Sequence, residues 1–299
     1  MQFDPHHLAA LAAVLRCGSF EAAAGALAVT PSAISQRIKA LEDRVGTVLI
    51  RRGPPCTGTS AGLRLSKHAE DVALLESQVS RELSLQRQPG KVHLRIAVNA
   101  DSLATWFVAA MAAVPDILFD LVIDDQDHSA DWLRRGEVSA AVTAQDKPVT
   151  GCDALPLGAL RYVATASPAF MTRWFRHGVT AETLARAPCL TFNPKDMLQR
   201  RWITQTVGAR LSPPAHYLPS TQAFVDAARA GLGWGMNPQV LVDTLIRDTL
   251  LIPLCADAPL DIRLTWQVNR IMGTALAPVT RAIRDAAQAG LIANGPCRV

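Results

Sequence analysis

The chain has 299 residues, 49% hydrophobic and 19% charged, with 30 Lys and Arg against 26 Asp and Glu for a formal net charge of +4. That length exceeds one ordinary domain and supplies ample material for buried cores, which excludes a disordered chain. No apolar run approaches the ~20 residues of a membrane span, and the N-terminus lacks a basic segment followed by a hydrophobic one, so a cytoplasmic protein without membrane contact is expected.

In chain order, Leu8, Leu11, Ala12 and Leu15 make a first apolar helical face that ends at Cys17-Gly18. Ser19 caps a second helix carrying Phe20, Ala23, Ala24 and Leu27, and Ala28-Val29 form a tight joint,. Thr30 is an N-cap and Pro31 suits the first position of a third helix,. Counting about 100° per residue, Ile34, Ile38, Leu41 and Val45 share a narrow arc, while Ser32, Gln36, Lys39 and Asp43 face the other way,. Three short helices with a brief turn before the last are the layout of a helix-turn-helix unit. Residues 48–50 read as a strand, and Arg51-Arg52-Gly53-Pro54-Pro55 turns it back toward Thr57 and Thr59 as a wing with two cations at its tip.

The exposed stripe of the third helix is short, polar and poor in acid, which lets side chains reach base edges without repelling phosphate. Thr30, Pro31, Ser32, Ser35, Gln36 and Lys39 are the candidate DNA contacts, with Arg51 and Arg52 on phosphate or in the minor groove. A plain amphipathic surface helix would carry the same pattern. The charge of residues 1–60, six Lys and Arg against four acids, is a weak footprint by itself,.

Residues 61–88 are helix-forming and free of proline, with Leu65, Val72 and Val79 seven apart and Ala69, Leu75 and Leu83 in support,. Two copies packed along that seam would place two third helices on one side of a dimer, suiting a two-fold symmetric operator. Pro89-Gly90 marks the main boundary,. Beyond it, 92–98, 117–123 and 139–143 read as strands alternating with helices at 102–114 and 130–136, a βαβαβ unit. A second set covers 161–166, 188–192, 198–207, 215–218 and 221–230; residues 264–268 then bring the chain back to a last helix at 277–289.

The run SFEAAAGALAVTPSAISQRIKALEDRVGTVLIRR, followed by TGTSAG, resembles the winged helix-turn-helix of LysR-type transcriptional regulators. Within that family SAISQRIKALED, RGPPC and DQDHSADWLRRGEV resemble the ArgP/LysG branch, regulators of arginine or lysine export. Most members carry Arg after the Ser at position 35, whereas this chain has Gln36 and then Arg37.

The resemblance implies an α/β protein. Its expected parts are a winged helix-turn-helix domain at 1–60, a linker and dimerisation helix at 61–90, and a two-lobed, periplasmic-binding-protein-like effector domain at 91–299. Lobe 1 takes 91–160 and 269–299, and lobe 2 takes 161–268. The same resemblance implies a homodimer or homotetramer on double-stranded operator DNA, an effector that is lysine or arginine, control of a basic amino-acid exporter or related gene, and RNA polymerase as a further partner for an activator. The rival readings are a solute-binding module with no DNA role and a LysR-type regulator of unrelated effector specificity.

Ligands in such sheets sit at strand C-terminal ends and between lobes. Asn99-Ala100-Asp101-Ser102 ends one strand and opens a helix, so Asn99, Asp101 and Ser102 are placed to hold a carboxylate at the helix start or simply to cap it,. Asp124 and Asp125 end the next strand, where the ArgP/LysG resemblance makes them receptors for a cation,. Thr143, Asn193 and Ser220-Thr221 end further strands and offer neutral hydrogen bonds, while Trp106 and Met236 are candidates to wall the cleft or fill the core. Enzyme parts are missing: GLGWG at 231–235 has no following Lys-Ser/Thr, no GxSxG occurs, and the seven histidines are dispersed,. The cysteines at 17, 56, 152, 189, 255 and 297 lack metal or redox spacing, so no cofactor and no metal is expected; Cys56, near the arginines of the wing, is the one candidate redox thiol,.

Overall fold

Three short amphipathic stripes close on one another at the start of the chain. The computed structural model describes residues 2–83, 91–124 and 127–293, the side chain of Arg81 excepted, and in it α1 (Pro5–Cys17), α2 (Phe20–Ala26) and α3 (Pro31–Val45) share one core. Leu8, Leu11, Val14, Ala23, Ile34, Ile38 and Leu41 fill it. Each helix starts on a side-chain cap, with Asp4 accepting from His6 N, Ser19 from Ala22 N and Thr30 from Ala33 N,. Gly18 and Gly46 end α1 and α3 at φ 71° and 77°, a conformation open to glycine at no steric cost,. The wing follows as β1 (Ile50–Arg51) paired antiparallel with β2 (Thr57–Gly58). Glu42 Oε1 accepts from Leu49 N at 2.8 Å and from Ile50 N at 3.4 Å, tying the end of α3 to the wing.

The helix expected at 61–88 is α4 (Ser60–Glu82), and the expected break at Pro89-Gly90 lies outside the described residues. Leu65 and Ala69 pack on the N-terminal core while Leu74 is buried in the second, larger core, so one helix spans both. Val79 and Leu83, toward its far end, remain 50% and 64% exposed.

The rest of the chain is built on β3 (Val92–Val98), β4 (Ile117–Ile123), β5 (Ala140–Thr143), β6 (Cys152–Ala166), β7 (Cys189–Thr191), β8 (Ala215–Tyr217), β9 (Gly235–Pro238), β10 (Ile252–Pro253) and β11 (Leu260–Asn269). Seven strands form one mixed sheet in the order β10-β6-β11-β5-β3-β4, with β9 joined to β6, and β7 and β8 form a separate parallel pair. β3 pairs parallel with both β4 and β5, through crossover helices Ala100–Ala112 and Ser129–Arg134, the expected βαβαβ unit. The β6 and β11 pair carries the chain between this lobe and the β7, β8 and β9 lobe.

The sequence reading places strands only at 161–166 and 264–268, whereas β6 and β11 run 15 and 10 residues. Pro156 and Gly158 look like breaks in sequence, but the register shift between Leu264 and Thr265 absorbs them as a bulge,. Helices Pro168–Trp174, Ala181–Arg186 and Gln239–Arg247 are additions to the sequence reading. The first two start on Ser167 and on a Thr180/Thr183 capping box, signals too short to stand out without their tertiary contacts,.

Candidate DNA interface and effector cleft

The exposed face of α3 carries Pro31, Ser32, Gln36 and Lys39, with Ser35 half-buried beside them. Ile34, Ile38 and Leu41 hold the opposite face in the core, which fixes the angle at which the polar stripe is presented. Thr30 spends its hydroxyl on the helix cap. Arg51 and Arg52 are exposed on the wing, and the Arg52 guanidinium lies 5.2 Å from the centroid of the Phe20 ring. That contact ties one wing cation to α2 and restricts its reach. Cys56 packs against the N-terminal core.

The second site forms where β3 ends. Asn99 is 2% exposed, and neither Oδ1 nor Nδ2 has a partner. An amide buried in that state is costly unless something answers it. Asp101 then sends its carboxylate across the cleft, accepting from Tyr162 Oη on β6 at 2.8 Å and from Thr221 Oγ1 at 2.7 Å, where helix Thr221–Arg229 begins. Asp124, after β4, accepts from Trp132 Nε1 at 2.8 Å.

From the other lobe comes Asp196, in the turn after β7, 6% exposed and accepting from Phe192 N and Leu198 N at 3.1 and 2.9 Å. Two cavities of about 20 Å3 each flank Asp101 and Asp196; Phe192 and Leu198 line both, and Asn99 and Asp124 complete one of them. Met236 and Asn237 line the other, and Asn237 Oδ1 is a further buried atom without a partner. No Lys, Arg or His among the described residues lines either cavity. Burial raises the carboxyl of Asp101 above the usual range against the lowering effect of its two hydroxyl donors, and burial raises that of Asp196 likewise,.

Residues 5–63 match the model of the bacterial regulatory helix-turn-helix protein, lysR family, and residues 87–288 match that of the LysR substrate binding domain. The chain belongs to the LysR family. This LysR-family chain is 45% identical over 286 residues to the HTH-type transcriptional regulator LysG of Mycobacterium tuberculosis, covering 96% of the one and 94% of the other. The crystal structure of ArgP from Mycobacterium tuberculosis matches it with a TM-score of 0.77 at 44% identity, over 98% of this chain and 100% of that one. Full-length LysG from Corynebacterium glutamicum with bound effector Arg matches with a TM-score of 0.65 at 36% identity, over 97% and 99% of the two chains.

In the LysR-family chain the strand-end residues separate into two groups. Asn99, Asp101 and Asp124 converge on the cleft. Ser102 is fully buried with an unpartnered Oγ, and it caps nothing, because Asn99 holds the N-cap position and makes no side-chain cap bond. Thr143 accepts from Gln145 N, Asn193 from Lys195 N and Ser220 from Ala223 N, bonds within their own turns and helix start, and none of the three lines the two small cavities. Asp125 lies outside the described residues. Met236 lines one of the cleft cavities, whereas Trp106 is core, its ring edge-to-face with Phe107 at 5.6 Å between centroids. Thr221, marked with Ser220 as a source of neutral hydrogen bonds, bonds Asp101 in the cleft, whereas Asp196, Tyr162 and Asn237 go unmarked in the sequence reading. Asn193-Pro194-Lys195-Asp196 reads as a polar turn, and a Tyr inside a strand gives no sign of where its hydroxyl points.

Proposed function

We propose that this chain is a DNA-binding transcriptional regulator whose effector is a basic amino acid, lysine or arginine, and which controls an exporter of that amino acid or a related gene. The observation that carries the effector is the cleft: acids from both sides, the unanswered amide of Asn99 and no basic side chain among the described lining residues. A cationic side chain balances the acids and donates to Asn99 Oδ1, with its alkyl stem against Phe192 and Leu198,. The bound arginine of the Corynebacterium glutamicum relative supports the same chemistry. Asn99, Asp101 and Asp124 are the effector residues proposed here. The cleft volume is far below the ~300 Å3 of a small ligand pocket. Entry therefore requires the lobes to part, breaking the bond between Thr221 and Asp101, and reclosure on the effector tilts α4.

On the DNA side, Pro31, Ser32, Ser35, Gln36 and Lys39 read bases, Thr30 positions the start of α3, and Arg51 and Arg52 contact phosphate or the minor groove. Two copies joined along α4, where Val79 and Leu83 stand exposed, present two such helices to one operator,. Calorimetry of lysine and arginine on the full chain, with Asp101→Asn in parallel, tests the effector. Micromolar binding, weakened about tenfold in the variant, is expected, and absence of heat with either amino acid to the native chain overturns that part. A gel shift on the intergenic DNA upstream of the gene tests the regulator, and a failure there leaves a solute-binding module.

A further inference from the structure

The two acids at the centre of the cleft come from different parts of the chain. Asp101 opens the helix that follows β3, and Asp196 sits in the turn that follows β7, outside the seven-stranded sheet. Both line both small cavities, together with Phe192 and Leu198. Asp101 is held by neutral hydroxyls and Asp196 by backbone N–H groups and the Gln199 amide, so among the described residues neither carboxylate has a cation bonded to it. Two like charges brought together away from water cost free energy that hydrogen bonds offset only in part. The unpartnered amide of Asn99 lines one of these cavities and Asn237, with its unpartnered Oδ1, lines the other, so polar groups without partners flank the acid pair on both sides,.

We propose that Asp196 is a specificity-determining residue of this cleft, which rests on the basic-amino-acid reading above: with Asp101 it forms a clamp of one carboxylate from each lobe that admits a cationic group in exchange for a proton. The cation replaces a proton held on one of the two carboxyls, and that proton leaves to solvent. Burial raises both carboxyls, and each raises the other or is raised by a further acid, Asp196 acting on Asp101 and Asp127 on Asp196. The other ionisable groups around the pair among the described residues are Asp124, the Tyr162 phenol, the Cys189 thiol, which Asp196 raises, and Arg201, whose guanidinium bonds Asp127 at 2.6 Å. Arg201 is committed to Asp127 and leaves the inner pair to the effector. A neutral ligand of the same shape leaves the pair protonated and gains nothing from Asp196, so the clamp selects by charge.

The test is calorimetry of arginine and of citrulline, its neutral isostere, on the full chain between pH 6 and 8 in buffers of different ionisation enthalpy. Proton release makes the measured heat depend on the buffer and raises arginine affinity with pH by at most about tenfold per pH unit. Citrulline shows neither effect and binds about 100-fold more weakly. Asp196→Asn should compress the ratio between the two ligands by about tenfold and reduce the proton release. Asp101→Asn, which leaves the Asp196 turn intact, should do the same and covers the case in which the first variant misfolds. Arginine binding with buffer-independent heat, or an unchanged ratio in both variants, overturns the clamp while leaving the effector reading in place. No arginine or lysine binding to the native chain removes both.

Discussion

The linker helix carries a carboxylate whose titration should govern how firmly the N-terminal domain packs on the rest of the chain. Glu70 of α4 has a buried Oε2 without a partner. It lines a junction cavity of about 560 Å3 together with Arg16 of α1 and His93 and Arg95 of β3. Burial raises its carboxyl from 4.5 to about 7, with Lys67 and Arg95 lowering it and Asp120 and Asp71 raising it further. A carboxyl raised in the packed state adds stability fully below its ordinary value of 4.5, and that stability is lost as pH rises through about 7,.

The separation between those values corresponds to at most about 3 kcal/mol, reduced to about 2 kcal/mol by the solvent that still reaches the side chain. Glu70→Gln imitates the protonated form at every pH. The variant should melt with the native chain near pH 4 and above it by about 4 °C at pH 8.5, measured by thermal unfolding across that range,. Parallel melting curves for the two proteins at all pH values would refute the argument, because a carboxylate with a partner or with ready access to water has no such penalty to relieve.

On the DNA face, Gln36→Ala should relax base preference at one operator position by about 1–3 kcal/mol, whereas Arg52→Ala should weaken all sequences alike and flatten the salt dependence. Competition gel shifts at two salt concentrations separate the two, and identical effects would mean that α3 and the wing do not dock as described. Gly62→Ala should destabilise the N-terminal domain strongly, because the added Cβ would lie 2.0 Å from the Leu49 carbonyl oxygen and force α4 off the wing,. A melting temperature within a degree of the native one would show that this approach is not tight. Thr30→Ala removes the cap of α3 and should cost about 1 kcal/mol, read by urea unfolding,.

What the sequence determined by itself is the local part of this protein. Thr30 and Pro31 start α3 as a local signal, and the 3.6-residue spacing of Ile34, Ile38 and Leu41 decides which face is left exposed. The same holds for Asp124 and Asn99 at strand ends, because a strand followed by a helix sends its last residues toward the ligand-facing edge of a parallel sheet. Tertiary structure alone decided which strand-end residues meet. Thr143, Asn193 and Ser220 have the same sequence signature as Asn99, yet each bonds its own turn or helix start. Asp196 and Thr221 reach Asp101 from 95 and 120 residues away. No periodicity carries that information, since it depends on how the β6 and β11 pair, with Pro156 and Gly158 absorbed in a bulge, sets one lobe against the other.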